Sequence, residues 1–195
     1  GLEAVTELLR NLSSKTGMAF IYVQHLSPDH KSMLTSLLSK VTTMKVQEVV
    51  NKVEMEPDNL YIIPPDKEIN VTNGHIKLSP RPDSPRINLP INILFSSLAE
   101  THKANTIGVI LSGSANDGTI GMKSIKHEGG LTFAQDDSAK FKSMPLSAIA
   151  AGVVDFILSP KEIAKELTRL STHAGSVKNG WIQRPEDGID NNDAD

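Results

Sequence analysis

Thr106-Ile107-Gly108-Val109-Ile110-Leu111-Ser112-Gly113-Ser114-Ala115-Asn116-Asp117-Gly118 is the stretch that decides the fold. An apolar, β-branched run breaks into a turn of small residues and then into the helical spacing of residues 119–128, which is one strand-turn-helix step of a parallel sheet. The same alternation continues outward in both directions. Downstream, Gly130 to Ala134 reads as a strand, Leu146 to Ala151 as a short helix and Val153 to Ile157 as a last strand. Ser159-Pro160-Lys161-Glu162 then supplies an N-cap serine, a first-turn proline and a glutamate placed for a capping box. Ile163, Leu167 and Leu170 give that closing helix a buried face.

Upstream, Leu2, Val5, Leu8, Leu9 and Leu12 recur at helical spacing, and Gly17 ends that helix. Met18 to Val23 is a continuous apolar run suited to a strand covered on both faces. A helix through Met33, Leu34, Leu37, Leu38 and Val41 and a strand over Lys45 to Val49 follow, then a strand from Leu60 to Ile63. Ile69 to Val71 and His75 to Leu78, joined by Asn73-Gly74, predict an inserted β-hairpin. Residues 80 to 90 hold four prolines and predict an extended loop before a helix over Ile91 to Glu100. The expected fold is α/β, a mostly parallel doubly wound sheet with that hairpin inserted. Residues 1–173 form one domain in this reading, and 174–195 an acidic polar linker or tail.

Composition removes several function classes. A net charge of -3, with the cations scattered, offers no basic stripe for nucleic acid. The absence of cysteine rules out thiol chemistry and cysteine-based zinc sites. No apolar run approaches the roughly 18 residues of a membrane span, so the expected location is the cytoplasm. No metal or other cofactor is expected, because no HExxH spacing or Gly-Lys-Ser/Thr phosphate loop occurs.

Ligands of open parallel sheets bind beyond the carboxyl ends of the strands. Two such ends carry chemistry. Gln24-His25-Leu26-Ser27-Pro28-Asp29-His30 puts a histidine directly after a strand, where it can act as a general base or simply bond a backbone carbonyl. Ser112 to Gly118 ends in Asp117, which can orient that imidazole or cap the helix that follows it.

Taken together, Gly1-Leu2-Glu3-Ala4, Val23-Gln24-His25-Leu26-Ser27-Pro28, Tyr61-Ile62-Ile63-Pro64-Pro65, Gly108 to Gly113, Asn116-Asp117-Gly118, Ala134-Gln135-Asp136 and Met144-Pro145 resemble the catalytic domain of the CheB protein-glutamate methylesterases. The resemblance implies a serine hydrolase acting on methylated glutamates of chemoreceptor helices, with glutamine deamidation in some members. It maps the catalytic histidine onto His25 and the aspartate onto Asp117, and suggests Gln24, Asn116 and Met144 as substrate-binding residues. The family's nucleophile stands in a G-x-S-x-G-G turn after its first strand. Gly1 resembles the last glycine of that turn, so the serine and its strand are expected upstream of Gly1 and the chain alone is expected to be inactive. Ser27, Ser112 and Ser114 lack such a turn and read as turn or capping residues.

A second departure is Ser114-Ala115, where many members carry Met-Gly. Leu89-Pro90, Met144-Pro145 and the Lys15 to Met18 lead-in are similar to CheB-like domains fused ahead of a CheR-type methyltransferase. The competing reading is a CheB-like module that binds receptor helices without catalysis.

Overall fold

The computed structural model describes residues 1–24, 33–65, 67–80 and 89–173. Its helices are α1 (Leu2–Asn11), α2 (Leu34–Leu38), α3 (Pro90–His102), α4 (Thr119–His127), α5 (Ser143–Ala150) and α6 (Pro160–His173). Its strands are β1 (Phe20–Tyr22), β2 (Lys45–Glu48), β3 (Lys52–Glu54), β4 (Asn59–Ile62), β5 (Lys67–Thr72), β6 (His75–Pro80), β7 (Ile107–Ile110), β8 (Leu131–Gln135) and β9 (Phe156–Leu158). The parallel strands form two groups, β1-β4-β2 and β7-β8-β9, and the antiparallel group is β3-β6-β5.

Helices cover both faces of the parallel strands, as a doubly wound sheet requires. Along β4, Leu60 and Ile62 face a cluster built with α1 and α6, while Tyr61 and Ile63 face a second cluster built with α3, α4 and α5. All four residues of β4 are buried, which explains why its sequence is an apolar run and not an alternation. Phe133 of β8 stacks on Phe156 of β9 with ring centroids 4.9 Å apart, on the α1 and α6 side.

Local chemistry fixes the connections. The hairpin turn has Asn73 at φ 50° and Gly74 at φ 72°, the positive pair that an Asn-Gly turn supplies. Ser159 and Glu162 form the expected capping box: the Ser159 amide donates to Glu162 Oε2 at 3.0 Å, and the Glu162 amide donates to Ser159 Oγ at 3.3 Å. The Ser159 hydroxyl also donates to Glu162 Oε2 at 2.7 Å, and with the Ser159 amide it holds the Glu162 carboxyl below its ordinary value.

Several expectations need correction. The helix expected through Val41 is only the short α2, and Met33 and Leu37 are exposed, so its apolar spacing is only partly used for burial. The last strand starts at Phe156 and not Val153, because Asp155 is occupied in bonds to Thr132. The strand β3, which makes the hairpin three-stranded, was not foreseen. Of the expected 80–90 loop, residues 81–88 lie outside the described residues, as does the 174–195 tail.

Candidate active site

The carboxyl end of β7 leads into the turn that carries Asp117. The Asp117 side chain is fully buried: Oδ2 accepts from the Ile91 amide and Oδ1 from the Asn92 amide, both at 2.9 Å. Those donors are free because α3 begins with Pro90, which has no N–H, leaving the next two amides of the first turn to be satisfied from outside. Asp117 therefore caps α3, and the N-cap residue of α4, Gly118, has no side chain with which to cap its own helix. The return bond comes from Asn92, whose Oδ1 accepts from the amides of Gly118 at 3.0 Å and Gly121 at 2.9 Å. The start of α3 is thus capped from the turn before α4, and the start of α4 from within α3.

Asn92 was missed in the sequence because an asparagine inside a helix signals nothing by itself. What makes the exchange possible is close helix contact. A Cβ on Gly121 would lie 2.4 Å from Phe95 Cβ and 3.2 Å from Asn92 Cα, so only glycine lets the two first turns meet.

The rest of the turn is braced by residues 135–144. The Ser112 amide donates to Gln135 Oε1 at 2.8 Å, and the Phe141 amide donates to Ser112 Oγ at 2.9 Å. Gly113 donates to the Phe141 carbonyl, and Met144 donates to the Gly113 carbonyl at 3.1 Å. The Ser112 hydroxyl is thus buried in a structural bond, in keeping with its reading as a turn residue. Met144 is buried with its sulfur against Gly113, whereas Ser114, Ala115 and Asn116 are exposed. Ala115 holds φ 86°, a conformation that a residue with a Cβ adopts only at a cost.

At the other strand end, Gln24 follows β1 and belongs to the described residues. His25, Ser27 and His30 do not, since 25–32 lie outside them. Gln24 meets the chain's start: a Cβ on Gly1 would lie 3.7 Å from Gln24 Nε2, 3.6 Å from the Ser112 carbonyl and 3.8 Å from the Tyr22 hydroxyl. Gln24 Oε1 is buried with no hydrogen-bond donor among the described residues. Burial also pushes the Tyr22 hydroxyl well above its ordinary value.

Below Gly1 a cavity of about 800 Å³ separates β1 from β7, walled by α1 (Val5, Leu8, Leu9) and by α3 (Leu94, Phe95, Leu98). Among the described residues β1 pairs only with β4 and β7 only with β8, so each turns an open edge toward this apolar slot. No group of three or more metal-ligating side chains occurs among the described residues.

The sequence and the fold both have known relatives. The family model for CheB methylesterase matches residues 1–167. The chain belongs to that family. It is 31% identical over 172 residues to a protein-glutamate methylesterase/protein-glutamine glutaminase of Photorhabdus laumondii, covering 86% of this chain and 49% of that one. A 104.1 kDa protein of Rhodobacter capsulatus is 36% identical over 131 residues, 67% of this chain and 14% of that one. The crystal structure of the Thermotoga maritima CheB methylesterase catalytic domain superposes with a TM-score of 0.80 at 27% identity, covering 87% of this chain and 93% of that one. The chain thus spans about half the length, or less, of these two sequence relatives. The CheB fold accounts for the two parallel groups and the helices on both faces. Among the described residues, no helix is long and apolar enough to cross a membrane.

Proposed function

We propose that this domain hydrolyses γ-methyl esters of protein glutamates, and deamidates glutamines, on the helices of chemoreceptor-type proteins in the cytoplasm. The nucleophile in this reading is a serine upstream of Gly1. His25 takes its proton and Asp117 holds the imidazole; the acyl-enzyme is then released by water. Gln24, Asn116 and Met144 border the substrate.

The observation that carries the reading is the apolar slot between the open edges of β1 and β7, whose mouth lies between the carboxyl ends of the two strands and borders the turn after β7. A parallel strand rising through that slot would pair with both open edges and deliver its last residues, with their serine, beside the Asp117 turn. Its backbone would bring a donor toward Gln24 Oε1. The acidic segment 174–195 serves in this reading as a linker, to a CheR-type methyltransferase domain in the parent protein.

The test is release of methanol from a methylated receptor by the protein extended upstream through its G-x-S-x-G-G turn. Asp117→Asn and His25→Gln should each lower turnover by about 10⁴-fold or more with binding of the receptor retained. Turnover unchanged in either variant would remove that residue from the mechanism. An upstream segment with no serine in that turn would leave the receptor-binding module as the function.

A further inference from the structure

We propose that Phe141 and Leu146 form a ledge that seats the apolar stripe of the substrate helix beside the site; this rests on the receptor-helix part of the reading above. The chain has five phenylalanines, and four of them, Phe20, Phe95, Phe133 and Phe156, pack into the two core clusters. Phe141 joins neither cluster and is 51% exposed. A loose chain does not explain this. The Phe141 amide donates to Ser112 Oγ and its carbonyl accepts from the Gly113 amide, both at 2.9 Å, and Ala139 and Met144 to either side are buried. An aromatic residue is thus pinned to the turn that leads to Asp117, on the wall of the slot that Gly113, Ser114 and Met144 also line. A contact residue already held in place loses little further freedom when a partner covers it.

Leu146 extends the ledge. Lys142 is the N-cap of α5, so Phe141 and Leu146 are its N′ and N4 residues, the two positions that pack on one another in a hydrophobic staple. Leu146 is nevertheless 51% exposed as well, so half of each residue stays open to a partner. Charge decides which partner fits. Lys140 and Lys142 bracket Phe141, and both are exposed. Lys142 pairs with Asp137 at 3.2 Å, and Asp136 accepts from the Ser138 amide and hydroxyl. Lys140 has no ion pair among the described residues. A helix with an apolar stripe and carboxylates three or four residues to its side matches Phe141, Leu146 and Lys140 together. A helix whose glutamates are the substrate carries those carboxylates.

The test is the affinity of the 195-residue chain for the helical cytoplasmic fragment of a chemoreceptor with methylated glutamates, read by calorimetry. Phe141→Ala should weaken binding by about tenfold or more, the loss expected for a central aromatic contact. Leu146→Ala should weaken it several-fold, and carries the test if Phe141→Ala does not fold. Phe141→Leu, which keeps an apolar residue at N′, should recover most of the affinity. Ile157→Ala, at an equally exposed apolar residue on β9, should bind as the unaltered chain does. Lys140→Gln should weaken binding at low salt and have no effect at about 1 M, where the Debye length is only about 3 Å. A lower unfolding midpoint in Phe141→Ala and Leu146→Ala with unchanged affinity would reduce the pair to a staple and overturn the seat. Equal weakening by Ile157→Ala would overturn it too, as would loss of self-association in Phe141→Ala with receptor affinity kept, which assigns the ledge to a second copy. No binding by the unaltered chain at about 1 mM receptor fragment would remove the receptor helix as occupant. Methanol release by the upstream-extended protein judges the chemistry separately. Release with affinity insensitive to Phe141 leaves the hydrolase and drops the ledge, and Phe141-dependent binding without release does the reverse.

Discussion

Ala115 occupies the turn with φ 86°, in the region that favours glycine. A left-handed alanine stores about 1–2 kcal/mol, partly offset in the glycine variant by about 0.5–1 kcal/mol of extra unfolded-state freedom. Ala115→Gly should therefore raise the urea midpoint by an amount equivalent to up to about 1 kcal/mol, without touching Asp117. Asp155 gives a second prediction at this scale. Burial opposes its charge, but bonds from Lys126 and Thr132 outweigh that and hold the carboxyl below its ordinary value. The sign follows: Asp155 stabilises the fold above the unfolded carboxylate value of about 3.9, and that contribution is lost as pH falls through the lower folded value. Unfolding of Asp155→Asn should show a deficit at neutral pH that shrinks in acid. Asp117 could be picked out in the sequence because it follows an apolar strand and a small-residue turn. Asn92 could not, because its partners lie 26 and 29 residues away.

The pair α3 and α4 is the element on which the site rests. Both helices begin at the carboxyl ends of the parallel strands, and they pack closely enough to exchange caps. Gly121→Ala would force a Cβ into Phe95 and the α3 backbone, with no flexible side-chain end to give way. Overpacking of this kind costs about 1–3 kcal/mol, so the thermal midpoint should drop clearly. An unchanged midpoint would mean that the helices do not approach as described. Strands and long helices were readable because burial on both faces leaves apolar runs, and α1 and α6 leave one apolar stripe each. The strand β3 was not, since Lys52-Val53-Glu54 has a single apolar residue and pairs only because β6 offers an edge. The same reasoning explains α2, whose stripe is longer than the surface available to bury it.

At the scale of the whole molecule, the sheet is two parallel halves facing one another across an apolar slot, with Gly1 at its mouth. The likeness to the CheB family was legible from clustered short motifs, of which Tyr61-Ile62-Ile63 and Ala134-Gln135-Asp136 sit at strand ends and Asn116-Asp117-Gly118 in the turn before α4. The slot was not, because no local pattern records a space between β1 and β7 that are far apart in the chain. The most direct measurement is methanol release from a methylated receptor, comparing the 195-residue chain with the same chain extended upstream through its nucleophile turn. The account predicts release by the extended protein and a rate lower by about 10⁶-fold for the 195-residue chain, the effect of removing a triad serine. Equal rates from the two proteins would contradict it.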